Sequence, residues 1–120
     1  YDGTNGRLVA WVRVPFVSKD SNTTIYMYYG NSCITSSQQN AAGVWDQYYE
    51  GVWHLKESGN GTLGEYGDST SNTNDGQGGA GASGETPTRI TTLSEQIISY
   101  GQRFDGNDDF IKVPHHATID

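Results

Sequence analysis

An all-β architecture of antiparallel strands follows from three features of these 120 residues. β-Branched and aromatic residues alternate with polar ones at a period of two over much of the first 30 positions. Gly, Ser, Thr and Asn are abundant, whereas Lys and Arg together number only 7. Apolar content is 33% and mean hydropathy is -0.66, low for a globular core. Eight Tyr and three Trp offset this in part, since each can bury a large amphipathic surface. Such a mixture favours strands joined by polar loops. The length allows one domain of ordinary size or pieces of two.

Taken in order, "RLVAWVRVPF" places Leu8, Ala10, Val12, Val14 and Phe16 on one face and Arg7, Trp11 and Arg13 on the other, a strand over 7–16. Pro15 near its end suits an edge or a strand terminus. "SKDSN" supplies turn residues, and "TTIYMYYG" reads as a second strand over 23–29, antiparallel to the first. The polar stretch 31–43 is a connector and a candidate boundary. In "VWDQYYEGVWHLKE", helical spacing would put Trp45, Tyr48, Tyr49 and Val52 on one face. Gly51 favours instead a turn followed by a strand at 51–56, with Trp53 and Leu55 inward. Residues 58–88 hold almost no apolar groups and should be loop with at most short edge pieces, the least ordered internal segment. Further strands are expected at 97–104 and 109–113, with no helix longer than about three turns.

Charge excludes some functions. A net charge of -7 and a pI near 4.7 argue against nucleic acid, because no basic stripe exists to neutralise phosphates. Apolar runs such as "LVAWV" are too short for membrane insertion. Cys33 is the only cysteine, so no internal disulfide can form. The first residue is not Met and no leader pattern precedes "RLVAWV", so the opening reads as the inside of a domain.

Two segments carry a resemblance. "RLVAWVRVPFVSKDSNTTIYMYYGN" resembles the final strands of an uncharacterised β-rich domain of large secreted bacterial and archaeal proteins. "GVWHLKE", "DSTSNTNDG" and "GQRFDGNDDFIKVP", in that order, resemble the opening of the laminin-G-like, concanavalin A-like jelly rolls that often follow it. The resemblance implies a division into 1–43, the C-terminal strands of the first domain, and 44–120, the N-terminal part of a jelly roll. A full two-sheet sandwich needs roughly twice the residues available after Trp45. The expectation is therefore a partial jelly roll, or two halves merged into one small sandwich.

The acidic turn offers Asp105, Asn107, Asp108 and Asp109 as oxygen ligands of the kind Ca2+ takes. The competing reading is a hairpin in which "DG" supplies the φ > 0 residue and the acids face water. Asp68 and Asp75 could join a calcium site, or serve Asx turns. Trp11, Tyr28, Trp45, Tyr48 and Tyr49 are candidate sugar-stacking rings, against the commoner role of aromatics as core. His54, His115 and His116 lack metal-ligand spacing, since adjacent residues of a strand point to opposite faces. No Glu-x-Asp-x-x-Glu strand and no Gly-x-Ser-x-Gly elbow occurs, and the chain reads as a non-enzyme.

The expectation is an extracellular or cell-surface module that binds glycan or cell-surface polysaccharide, or mediates adhesion. The alternative is a structural subunit of a filament or layer. There, exposed strand edges would be completed by neighbouring copies, giving a homo-oligomer.

Overall fold

A computed structural model describes residues 3–92 and 98–119. Among the described residues helix is confined to one turn, α1 (Ala41–Val44), and to single 3-10 turns at Gly79–Gly81 and Ser83–Glu85. Asn40 caps α1 by accepting the Gly43 N–H at 2.9 Å, the usual Asn solution for an orphaned first-turn donor. Four short strands follow: β1 (Gln77–Gly78), β2 (Thr88–Arg89), β3 (Gln102–Arg103) and β4 (Ile111–Lys112). They form two antiparallel ribbons, β1 with β4 and β2 with β3. Gln77 stands opposite Lys112 and Gly78 opposite Ile111. In the second ribbon Thr88 faces Arg103 and Arg89 faces Gln102.

The centre lies where the sequence is poorest in apolar residues. Tyr66 is fully buried, beside buried Thr70, Asn74, Thr86 and Pro87. The segment 58–88 is mostly irregular, as expected, but it packs, which reverses the reading of it as the least tied-down part. The reason is close backbone approach. A Cβ at Gly59 would collide with the Tyr66 hydroxyl and Thr86, and one at Gly78 would come 2.5 Å from Thr86 Cγ2 and 2.8 Å from Glu65 Oε1. Gly59 and Gly76 thus lie against Tyr66, and Gly78 against Thr86 and Glu65. Glu65 completes the turn, its carboxylate accepting from the N–H groups of Asn60, Gly61 and Gly78 at 2.7, 3.1 and 3.0 Å.

The first two expected strands do not form. Apart from an isolated bridge at Arg7, residues 7–16 and 23–29 pair with nothing in a ladder. Their apolar side chains stay out, with Leu8 50%, Val12 60% and Phe16 75% exposed. Period-two alternation specifies two faces but no partner, and a lone two-stranded hairpin is marginal in water. The strand expected at 51–56 reduces to one bridge, Trp53 with Asp68. Leu55 lies at φ 54, a left-handed conformation that ends an extended run and that L-residues adopt at a cost. Its carbonyl is held by Gln102 Nε2 at 3.0 Å. Of the strand expected at 97–104, residue 97 lies outside the described residues, and β3 occupies only its end. β4 falls inside 109–113.

The chain is open for its size. Its accessible surface is 9239 Å², against about 6,400 Å² for a compact monomer of this mass. Its radius of gyration is 17.4 Å, against about 14 Å.

Candidate functional site

The aromatic group is assembled from two distant stretches. Arg13 reaches across to Asp46 at 3.0 Å and to the Gly43 carbonyl at 3.4 Å, fastening the first segment to the turn after α1. Trp11 then meets Trp45, with ring centroids 5.6 Å apart. Trp45 takes Tyr49 edge-on at 5.2 Å. His54 lies nearly parallel to Trp11 at 5.3 Å and 5.9 Å from Trp45. Trp11 is 49% and Tyr49 44% exposed, so the cluster is neither core nor free surface. Its rings are fixed by one another while two remain reachable.

Sequence reasoning placed Trp11, Trp45 and Tyr49 here but not His54, whose signal was position alone, one residue after Trp53. Desolvation by burial and then the Lys56 charge lower the His54 pKa, against an opposing pull from Glu57. Burial thus disfavours the charged form of the imidazole stacked on Trp11. Tyr28 and Tyr48 do not join; they stand 92% and 82% exposed.

The loop 68–75 serves as a brace for this cluster. Asp68 accepts from the N–H groups of Val52 and Thr70, both at 2.9 Å. It also accepts the Thr70 hydroxyl at 2.7 Å and the Asn74 N–H at 3.0 Å. Asp75 accepts the Asp68 N–H at 2.8 Å. Burial alone would raise the Asp68 pKa, but these hydrogen bonds to its charged form outweigh it and the net shift is downward. Asn74 donates to the Glu50 carbonyl at 2.7 Å, and its own carbonyl receives the Trp53 indole N–H at 2.8 Å. Asn72 donates to the carbonyls of Tyr49 and Glu50. The backbone at Tyr49 and Glu50 is thus held by Asn72 and Asn74, while both oxygens of Asp68 and one of Asp75 accept hydrogen bonds within the loop.

In the acidic turn, Gly106 takes φ 85, the left-handed geometry foreseen for "DG". Asp105 accepts from Asn107 N–H at 2.9 Å and from its side-chain amide at 3.0 Å. Asp109 accepts the Asp105 N–H at 2.8 Å. The Asn107 hydrogen bonds, backbone first, hold the Asp105 pKa below its ordinary value. Asp105, Asp108 and Asp109 each bring one carboxylate oxygen within 4.8 Å of the others. Asn107 spends its amide on Asp105. Exposed acids gather this way in ion-free turns too.

The molecule is thus a β-rich chain with two small ribbons, a buried tyrosine on a glycine bed and a half-exposed cluster of rings. Residues 1–56 match a family described as Domain of unknown function (DUF2341). The matched stretch contains every ring of the cluster, runs past the 43/44 boundary drawn from the sequence, and stops before Tyr66. Comparison with the curated proteins and with the solved structures returns no match. Among the described residues no helix is long and apolar enough to cross a membrane.

Proposed function

We propose that the protein is a non-catalytic, extracellular or cell-surface module that binds glycan through the Trp11–Trp45–Tyr49–His54 cluster. One observation carries this: four rings within 6 Å of their neighbours, two of them half exposed, with the Tyr49 backbone held by Asn72. Sugars offer C–H faces that stack on rigid rings, and preorganised rings lose little entropy on binding. For the fold, a partial laminin-G-like, concanavalin A-like jelly roll over 44–120 is supported by adjacency. Trp53 of "VWHL" bridges Asp68 of "DSTSN", and β1, just after that loop, pairs with β4 of "FIKVP". A glycan array with the purified chain tests the binding reading. Trp11→Ala and Tyr49→Ala should each weaken a hit roughly tenfold, about 1.4 kcal/mol, while Tyr28→Ala and Tyr48→Ala leave it unchanged. An empty array, or hits indifferent to Trp11, refutes it.

Calcium belongs to the same proposal. The ion would be held by oxygens of Asp105, Asn107, Asp108 or Asp109, the three carboxylates lying within 4.8 Å of one another, at the weak affinity of roughly 0.1–1 mM typical of extracellular modules. Calcium at several millimolar should then raise the melting temperature. No shift and a silent calorimeter would leave turn chemistry as the whole role of these acids.

A second reading, a subunit of a filament or layer, is favoured by the exposed apolar segment from Leu8 to Tyr29. Electron microscopy of concentrated protein separates it from the first.

A further inference from the structure

We infer that the recess beside the β2–β3 ribbon is a second binding site, and that it takes the carboxylate of an acidic sugar. The inference rests on the glycan reading and extends it from neutral to carboxylate-bearing sugars. The recess measures about 160 Å³ and is lined by Thr88, Arg89, Ile90, Thr91, Thr92 and Arg103. That leaves room for a carboxylate and the carbons next to it, with the rest of a sugar ring at the mouth.

Charge is the first argument. The chain carries 14 acids and 7 Lys and Arg, yet among the described residues two arginines and no acid line this recess. By register Arg89 and Arg103 belong to alternate faces of the ribbon, and both nevertheless border the same hollow beside it. A guanidinium such as that of Arg89 can anchor a single anionic group, while the field of an otherwise acidic protein repels dense polyanions.

Geometry is the second. The Arg89 guanidinium lies over the Tyr100 ring, 4.6 Å from its centroid. Stacking on an aromatic face fixes the plane of the fork and leaves its N–H edges to match a planar, two-oxygen acceptor. Arg89 Nε is buried and has no hydrogen-bond partner among the described residues, a rare state for a charged donor. The ribbon that presents it is anchored, because Gln102, opposite Arg89, donates to the carbonyls of Leu55 and Glu57 at 3.0 and 2.7 Å and lies 3.3 Å from the Tyr66 hydroxyl. The hydroxyls of Thr88, Thr91 and Thr92 can donate and accept, which suits the hydroxyls flanking a sugar carboxylate more than a bare inorganic anion.

Calorimetric titration of the full chain with glucuronate, glucose, acetate and inorganic phosphate tests this. Glucuronate should bind, glucose and acetate should bind at least tenfold more weakly, and phosphate should not compete. Arg89→Gln and Arg89→Lys should each weaken glucuronate about tenfold or more, the lysine because it keeps the charge but loses the fork. All variants are checked by melting temperature. Tyr28→Ala, at an exposed side chain that belongs to neither site, should leave glucuronate binding intact. Glucose binding equal to glucuronate overturns the inference but not the ring platform. Phosphate or acetate binding equal to glucuronate overturns it in favour of a general anion site. Neutral oligosaccharides that bind through Trp11 while glucuronate does not would sink this site and spare the proposed function.

Discussion

Asp68 works in this chain as an acceptor. Four donors converge on its carboxylate, so Asp68→Asn, which turns an N–H2 toward N–H groups, should cost about 1–3 kcal/mol and loosen Tyr49 and Trp53 above it. Thermal melting measures the first, and near-ultraviolet circular dichroism of the rings the second. Acid should act at three places with one sign. His54, Asp68 and Asp105 all have folded pKa values lowered from their ordinary ones. In each case the unfolded chain takes up the proton first, so acidification favours unfolding. Stability should therefore decline as pH falls below about 6.5 for His54 and again below about 4 for the acids. Loss of Trp11 stacking should appear as a change in tryptophan fluorescence in the first window, absent in His54→Gln. Tyr66 works in reverse. Burial, then Glu65, Glu57 and Asp109, push it up to about 12, so stability should drop as pH rises from about 10 toward that value, and Tyr66→Phe should remove that drop.

Among the elements, the glycine-rich stretch is the load point of the packing and the strand-like opening is not. Gly78→Ala would set a methyl against Thr86 and Glu65, and overpacking of that kind costs typically 1–3 kcal/mol. Gly84, where an added Cβ meets nothing within 4 Å, is the control and should tolerate alanine. Hydrogen exchange gives the companion expectation. Amides of Tyr66, Gly76 and Gly79, which donate to Gly76, Tyr66 and Phe110 carbonyls, should exchange far more slowly than those of residues 8–17 and 24–29. Protection of the opening segment in the dilute chain would overturn this order. The alternation of Leu8 to Phe16 was legible as a face, but not its lack of a partner. The Tyr66 bed was legible only as a lone tyrosine, a distant Pro87 and closely spaced glycines. No hydropathy pattern marks a core made from backbone.

For the molecule as a whole, surface sets the expectation. The excess over a compact monomer, nearly half again what this mass requires, includes Leu8, Val9, Val12, Phe16, Val17, Ile25 and Met27. An exposed apolar stretch with unpaired backbone is a template for another chain, and a standard interface hides only about 1,600 Å². The purified 120-residue chain should therefore scatter light as a dimer or larger at micromolar concentration, with Arg7 and Arg13 restraining uncontrolled pairing. A monomer that persists to high micromolar concentration would mean that the opening segment needs no covering.

The sequence by itself determined composition-borne properties: acidity, poverty of helix, the "DG" turn at Gly106, and the candidate rings Trp11, Trp45 and Tyr49. These depend on local backbone preference or on side-chain type, which each residue carries wherever it lies. Tertiary structure alone decided what those residues meet. It brought Trp11 to His54, committed Asp68 and Asp75 to a brace, placed two arginines beside one recess, and put Leu55 at positive φ beneath Gln102. Such contacts join residues tens of positions apart, and their energy depends on which backbone groups are left without water. A one-dimensional pattern does not record that quantity.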